Sequence, residues 1–299
     1  MRILLCGAFD PGESDSWRAA LAGAWPAGEW LDLDAVRAAP AGVQVAVVAN
    51  PPPGALQGLP DLRFVQSLWA GVERLLADPT LPVHLPLARM VDPLMSTAMA
   101  ETAHWAVLSL QRDFFDYARQ QAQARWLPHP QRRADEWRVL VLGRGALGAT
   151  VAARLHAAGC AVATWGRGDP LAERLATADV VINLLPLTAQ TRGLIDARFF
   201  AALPVGASLV TLARGNHVVE ADLLAALDGG RLRHAVLDVF TQEPLPVGHP
   251  FWAHPRVTLL PHVAAATDAR SAAAVVAANL QAWVDGRPLA HLVDRERGY

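Results

Sequence analysis

The stretch RVLVLGRGALGATVAARLHAAG, residues 138–159, constrains the chain more than any other. An apolar run of strand length stops at Gly143, and Gly145 and Gly148 follow in GxGxxG spacing. A helical segment then carries Val151, Leu155 and Ala158 on one face. In a dinucleotide-binding fold the first glycine makes the tight turn, the second lets a pyrophosphate approach the backbone, and the third packs helix on strand. The helix start, with Arg144, Ala146 and Leu147 completing the turn, then faces the anion. Three glycines alone are a weak signal. A strand before them, a helix after them and a new strand, AVATWG, about 20 residues on make a dinucleotide site the stronger reading.

That next strand ends over the adenosine ribose of such a fold, where an acid normally accepts bonds from a free 2′-hydroxyl. Here the chain reads Trp165, Gly166, Arg167 and Gly168. An arginine favours a 2′-phosphate, so the turn points to NADP(H) as the preferred cofactor, with NAD(H) admitted as well. A solvent-facing Arg167 is the plainer alternative, and Asp169, two residues on, is the acid that cuts against the phosphate reading.

Apolar runs alternate with helical segments along most of the chain. RILLCGA (2–8), VQVAVVAN (43–50), LRFVQS (62–67) and PVHLPL (82–87) read as strands, with SWRAALAGA (16–24) as an intervening helix. A single long helix is expected from Leu94 to Ala124, followed by the Pro- and Arg-containing linker ARWLPHPQRRADEW. A second alternation then supplies RVLVLG, AVATWG, VVINLLP, ASLVTLA, HAVLDVF and RVTLLP. A last helix spans 267–286, with Thr267 or Asp268 at its start and Gly286 at its end. The pattern implies an α/β protein with two doubly wound parallel-sheet domains.

Composition removes several function classes. All 26 basic residues are arginine, so a Schiff-base lysine and a GKS-type phosphate loop are impossible. Cys6 and Cys160 are the only cysteines and both sit in apolar runs, which leaves no disulfide framework and no CxxC metal or redox site. The net charge of −2 gives no basic field for nucleic acid. No apolar stretch approaches the ~18 residues of a membrane span, and no signal peptide is apparent, so the expectation is a cytoplasmic protein with no metal and no membrane partner. GxSxG and HExxH motifs are lacking, which disfavours a hydrolase.

Three apolar strands end in a polar residue: TLARG in Arg214, DVFTQEPLP in Glu243 and LLPHVAA in His262. In an open parallel sheet, ligands bind outside the carboxyl ends of strands, so the three could converge on one cleft. Each alone has a plain reading, as a surface charge, a turn acid and a core histidine.

Together with the glycine turn, the segments GRGALG, INLLPLTAQTRGLID, TLARGNHVVEADLLAAL, AVLDVFTQEPLP, HPFWAHPRVTLLPHVAA and VDRERGY resemble the D-isomer-specific 2-hydroxyacid dehydrogenases. Within them they are most similar to the glyoxylate/hydroxypyruvate reductases of subfamily A. The first half matches mainly through SLWAGVE (67–73) and the RMVDP region. The resemblance implies a flavodoxin-like substrate domain formed by residues 1–95 and 268–299, with a Rossmann coenzyme domain, 96–267, inserted in it. It implies that Arg214 holds the substrate's carboxylate and carbonyl oxygen, that His262 donates the proton, and that Glu243 orients and charges it. Backbone amides of Ala70, Gly71 and Val72 would bind the carboxylate, with Trp69 and Arg89 beside the substrate. Ala213 and Asp238 would lie near the nicotinamide, and Leu185, Pro186 and Thr191 along the cofactor. It also implies reduction of small 2-oxo acids by a homodimer.

Two departures stand out. Relatives often place hydroxyl residues where this chain has Gly166 and Gly168. Arg144 stands where an uncharged residue is more usual, and either adds charge near the phosphates or points to solvent. The rival readings are a dehydrogenase for a larger 2-oxo acid and a non-catalytic NAD(P)-sensing protein on the same fold.

Overall fold

The computed structural model describes residues 1–10 and 12–299. It divides into two compact units, Met1–Met95 with Thr267–Tyr299, and Ser96–Ala266. The chain opens with β1 (Arg2–Gly7), α1 (Glu13–Ala24), β2 (Glu29–Leu31), α2 (Leu33–Ala38), β3 (Val43–Ala49), β4 (Phe64–Ser67), α3 (Glu73–Leu76) and β5 (Leu87–Ala88). Then come α4 (Pro93–Gln111), α5 (Phe114–Ala122), β6 (Arg138–Leu142), α6 (Ala146–Ala157), β7 (Ala161–Trp165), α7 (Leu171–Leu175) and β8 (Val180–Asn183). The rest is α8 (Ala197–Ala202), β9 (Ala207–Thr211), α9 (Glu220–Asp228), β10 (Leu232–Leu237), β11 (Val257–Leu259) and α10 (Ala269–Val284).

In the first unit the strands pair in parallel in the order β2-β1-β3-β4-β5, the flavodoxin-type winding. Alternation along β1 and β3 serves two cores. Ile3, Leu5, Val45 and Val47 pack with Trp17, Leu21, Val276 and Leu280, whereas Leu4, Cys6, Ala46 and Val48 pack on the opposite face. Two-sided burial is why these strands read as unbroken apolar runs. The C-terminal helix returns to this unit through a buried amide pair: Asn279 donates to Gln66 Oε1 at 2.7 Å and accepts from the Ala290 N–H at 2.9 Å.

The second unit carries six parallel strands in the order β11-β10-β9-β8-β6-β7. Val139, Val141, Ile182, Val210 and Val236 face one core, and Leu140, Leu142, Val181, Leu209 and Leu237 the other. The common dinucleotide-binding order places a further strand outside the second one. Here β7 is the edge, because only α7 and its flanking turns separate it from β8.

Three expectations need correction. The long helix over 94–124 is two helices, broken where Asp113 adopts a left-handed backbone (φ 59°). Asp tolerates that conformation, and its buried carboxylate is held by Arg233 and by the His129 ring. The strand expected over 82–87 shrinks to Leu87–Ala88, since Pro82 and Pro86 cannot donate to a ladder. Three-residue β2 was not foreseen, being too short for periodicity to register. The last helix is capped by Asp268, whose carboxylate accepts from the Arg270 N–H at 2.8 Å.

Candidate active site

The carboxyl ends of all six strands of the second unit carry candidate residues. At the end of β6, Gly143 has φ 117°, and a Cβ there would come 3.0 Å from Leu184 O. A Cβ on Gly148 would lie 2.1 Å from Gly143 O, so helix α6 approaches the turn only because that residue is glycine. A Cβ on Gly145 would meet nothing within 4 Å. Gly145 is also the N-cap of the 12-residue α6, with no side chain capping it, so the first N–H groups, at Ala146 and Leu147, are offered to that open space. A dinucleotide's pyrophosphate fits this opening, by space and by the sign of the helix dipole.

After β8, the loop of Leu185, Pro186 and Thr191 is fixed from two sides. Thr191 donates to Pro186 O at 2.7 Å, and His217 Nε2 reaches the same oxygen at 3.2 Å. A carbonyl only accepts, so Nε2 carries the proton and Nδ1 accepts from the Asn183 amide at 3.0 Å. Asn183 also donates to Thr211 and accepts from the Leu185 N–H. Asn183 and His217, both fully buried, are supports that sequence reading missed. A polar pair inside INLLP and RGNHVV was the available signal.

On neighbouring β9, β10 and β11 the chain places Arg214, Asp238 and His262. Arg214 follows β9 in extended conformation and is half-buried. Its neighbour Gly215 has no room for a side chain: a Cβ would sit 1.9 Å from the Phe240 carbonyl carbon. That contact presses the Arg214 turn onto the segment carrying Glu243, because the Phe240 N–H donates to Glu243 Oε1 at 2.9 Å. Glu243 Oε2 lies 2.7 Å from His262 Nδ1. A carboxylate accepts, so Nδ1 donates, leaving Nε2 without a partner among the described residues on a half-exposed side chain.

His262 has a left-handed backbone, φ 56°, a strained choice for a residue bearing a Cβ. Asp238 holds it there. The Asp238 carbonyl accepts from the His262 N–H at 2.9 Å, and its carboxylate, 1% exposed, accepts from the N–H groups of Val263 and Ala264. The Asp238 side chain is turned to this loop, beside the histidine. Ala213 is buried beside Arg214.

At the end of β7, Arg167 is exposed and makes no ion pair among the described residues. Arg144 is paired with Asp169 and lies along the turn, near Thr164. Trp165 donates its indole N–H to Asp169 O at 3.0 Å.

In the first unit, Trp69 is half-buried and meets Trp17 edge-on at 5.9 Å. Ser67 Oγ, at the end of β4, accepts from the Trp69 N–H at 3.0 Å. Ala70, Gly71 and Val72 lead into the single turn of α3. Arg89 follows β5, donates its backbone N–H to His291 O at 3.0 Å and is half-buried. Burial holds its guanidinium below the usual range. The His291 ring is lowered likewise, by burial first and then by Arg89. The lowered His291 ring is neutral near pH 7, which leaves Arg89 as the half-buried cation that favours an anion beside it.

Elsewhere in the second unit, a groove of about 430 Å³ lies at the starts of β6 and β7, the end of the sheet opposite these residues. Asp113, Asp116 and His129 come close enough to hold an ion, but Arg233 bridges both carboxylates and Arg119 pairs with Asp116. No helix among the described residues is long and apolar enough to cross a membrane.

Comparison with known proteins gives a consistent result. Residues 104–264 match the model of the D-isomer specific 2-hydroxyacid dehydrogenase NAD binding domain. The chain is 42% identical over 272 residues to glyoxylate/hydroxypyruvate reductase A of Klebsiella pneumoniae (strain 342), covering 85% of this chain and 87% of that one. Its fold superposes with TM-score 0.93 and 38% identity on a D-isomer specific 2-hydroxyacid dehydrogenase from Xanthobacter autotrophicus Py2, solved with NADPH and MES. That match covers 100% of this chain and 99% of the other. An NADPH-dependent glyoxylate/hydroxypyruvate reductase from Sinorhizobium meliloti, solved with NADP and sulfate, gives TM-score 0.92 at 34% identity over 100% and 99%.

Proposed function

The chain belongs to the D-isomer specific 2-hydroxyacid dehydrogenases, and from that premise we propose that it reduces small 2-oxo acids with NADPH preferred to NADH. Glyoxylate goes to glycolate and hydroxypyruvate to D-glycerate. The observation that carries this reading is the 2.7 Å His262–Glu243 pair beside the Arg214 turn, at the same end of the sheet as the glycine turn.

NADPH, when bound at the glycine turn, supplies the hydride for the carbonyl carbon. The residues supply the rest. Arg214 holds the substrate carboxylate and carbonyl oxygen with its guanidinium fork, which polarises the carbonyl. His262, whose Nδ1 donates to the Glu243 carboxylate, gives the Nε2 proton to the oxygen as negative charge develops there. Its half-exposed ring then regains a proton from water. We assign Trp69, the amides of Ala70, Gly71 and Val72, and Arg89 to substrate binding on the family's pattern, and Leu185, Pro186, Thr191, Ala213 and Trp165 to the cofactor.

A homodimer through the second unit is the assembly we propose. Trp105, Leu108, Phe114, Trp126 and Leu127 all expose large apolar side chains there, Trp126 by 98%. Light scattering at micromolar concentration checks it: a monomer removes the dimer and leaves the chemistry untouched.

The deciding experiment is a reduction assay with glyoxylate, hydroxypyruvate and phenylpyruvate, each with NADPH and NADH. The two small acids should exceed phenylpyruvate in kcat/KM by about ten- to several hundredfold, the reach of steric exclusion. Phenylpyruvate as the better substrate would move the reading to a larger 2-oxo acid. No turnover of any 2-oxo acid would leave a sensing protein.

A further inference from the structure

The register of β6 on β7 pairs Leu142 with Trp165, which brings the residues just after each strand side by side. After β7 the chain closes a tight turn, with the Asp169 N–H donating to Gly166 O at 3.1 Å. The Asp169 carboxylate folds back into this turn. Its Oδ2 accepts from the Gly166 N–H at 3.2 Å and also pairs with the Arg144 guanidinium. Arg144 crosses directly over Gly166, where a Cβ would lie 3.1 Å from Arg144 Cδ. Gly166 and Arg144, two of the departures noted in the sequence, are therefore one arrangement: a side chain at 166 would crowd the arginine that lies there.

An anionic oxygen is thus held at the ribose turn by one backbone N–H and one guanidinium, with Arg167, which makes no ion pair among the described residues, two residues earlier. This is the donor set of a phosphate-oxygen site, and a side chain of the chain itself fills it. We propose that Asp169 is an internal competitor for the 2′-phosphate of NADPH and so sets the strength of the cofactor preference. The inference rests on reading this turn as the ribose site. Arg144, Arg167 and Asp169 together carry one net positive charge, and with the carboxylate removed they carry two. A 2′-hydroxyl, by contrast, is not repelled by Asp169 and can donate to it, which keeps NADH usable. Asp169 is a specificity-determining residue on this account. Arg144 is the cation it holds in check.

Calorimetric titration of the full-length protein with 2′,5′-ADP and with 5′-AMP isolates the extra phosphate without any turnover. The wild type should bind 2′,5′-ADP about tenfold more tightly than 5′-AMP. Asp169→Ala should tighten 2′,5′-ADP by about a further fivefold and leave 5′-AMP within about twofold. Asp169→Asn, which keeps an acceptor for the Gly166 N–H, must show the same gain, so loss of the turn's shape cannot imitate the result. In an Arg144→Ala background the gain from Asp169→Ala should vanish, because the cation that Asp169 holds is then gone. A wild type that does not distinguish them breaks the NADPH reading and this inference with it. A wild type that does, with both Asp169 variants binding 2′,5′-ADP no more tightly, overturns the inference alone, as does an equal gain for 5′-AMP.

Discussion

The two halves of the six-stranded sheet are built to opposite standards. At the ends of β9, β10 and β11 charge is committed: the Asp238 carboxylate is 1% exposed and accepts from the backbone N–H groups of Val263 and Ala264, and Gly215 locks one loop against the next. At the ends of β6 and β7 charge is loose. The Arg144 and Asp169 side chains, in the turns after β6 and the edge strand β7, are 49% and 23% exposed, near an Arg167 with no ion pair among the described residues. Proton transfer tolerates little positional error, so the half-exposed His262 is fixed by the buried Asp238 carboxylate under its loop and by Glu243 on its ring. Cofactor choice is a difference of a few kcal/mol between two ligands, and exposed ion pairs of modest strength can set it.

The contrast is broken most directly at the histidine. His262→Asn should lower kcat by about 10²- to 10⁴-fold, the usual worth of a positioned general acid, while 2′,5′-ADP affinity stays put. Comparable loss of nucleotide binding would show that the two halves are not separable. Asp238→Ala should come next. It leaves the buried Ala264 N–H, and the Val263 N–H beside it, without their acceptor, costing about 2 kcal/mol of stability and roughly 10²-fold in kcat as His262 leaves its left-handed backbone. Denaturant midpoints and steady-state rates measure both. A variant with wild-type kcat would mean the loop holds its shape without the aspartate.

The committed half should also be the one that acid attacks. His234 on β10 is buried, bonds Thr258 Oγ1 at 2.8 Å and stacks on Phe115 at 4.5 Å. Burial, with Arg119 and Arg233 nearby, pushes its pKa down to about 4. The unfolded chain takes up this proton near 6.5 and the folded one only near 4, so stability falls as pH drops through that window. The loss approaches about 2–3 kcal/mol at its lower end. His234→Gln should flatten the curve between pH 6.5 and 4, and an unchanged curve would assign the acid sensitivity elsewhere.

The loose half predicts smaller effects. Arg167→Ala should cut the NADPH-over-NADH ratio of kcat/KM by about tenfold, near one charge-assisted bond. An unchanged ratio would leave the phosphate to other groups. The subtlest test returns to the histidine: Glu243→Gln removes the carboxylate beside Nδ1 and should lower kcat by about three- to tenfold while 2′,5′-ADP affinity stays put. A wild-type kcat in that variant would show that the 2.7 Å pair does not position the ring.

Most of this architecture was legible along the chain. Two-sided burial writes parallel strands as apolar runs, and glycines that must avoid Leu184, Gly143 and Phe240 leave a fixed spacing; both are local in sequence. Arg214, Glu243 and His262 were found because each ends such a run. What the tertiary structure alone decided lies in contacts between strand ends. The Asp238 carboxylate under the His262 loop, the Asn183–His217 support and the Arg144–Asp169 pair each join residues at least 25 positions apart. Nothing in the periodicity of either partner announces the other, because the pairing depends on which strands are neighbours and in what register. The break at Asp113 has the same origin: helix propensity runs through residues 94–124, and a distant Arg233 outweighs it by taking a buried carboxylate.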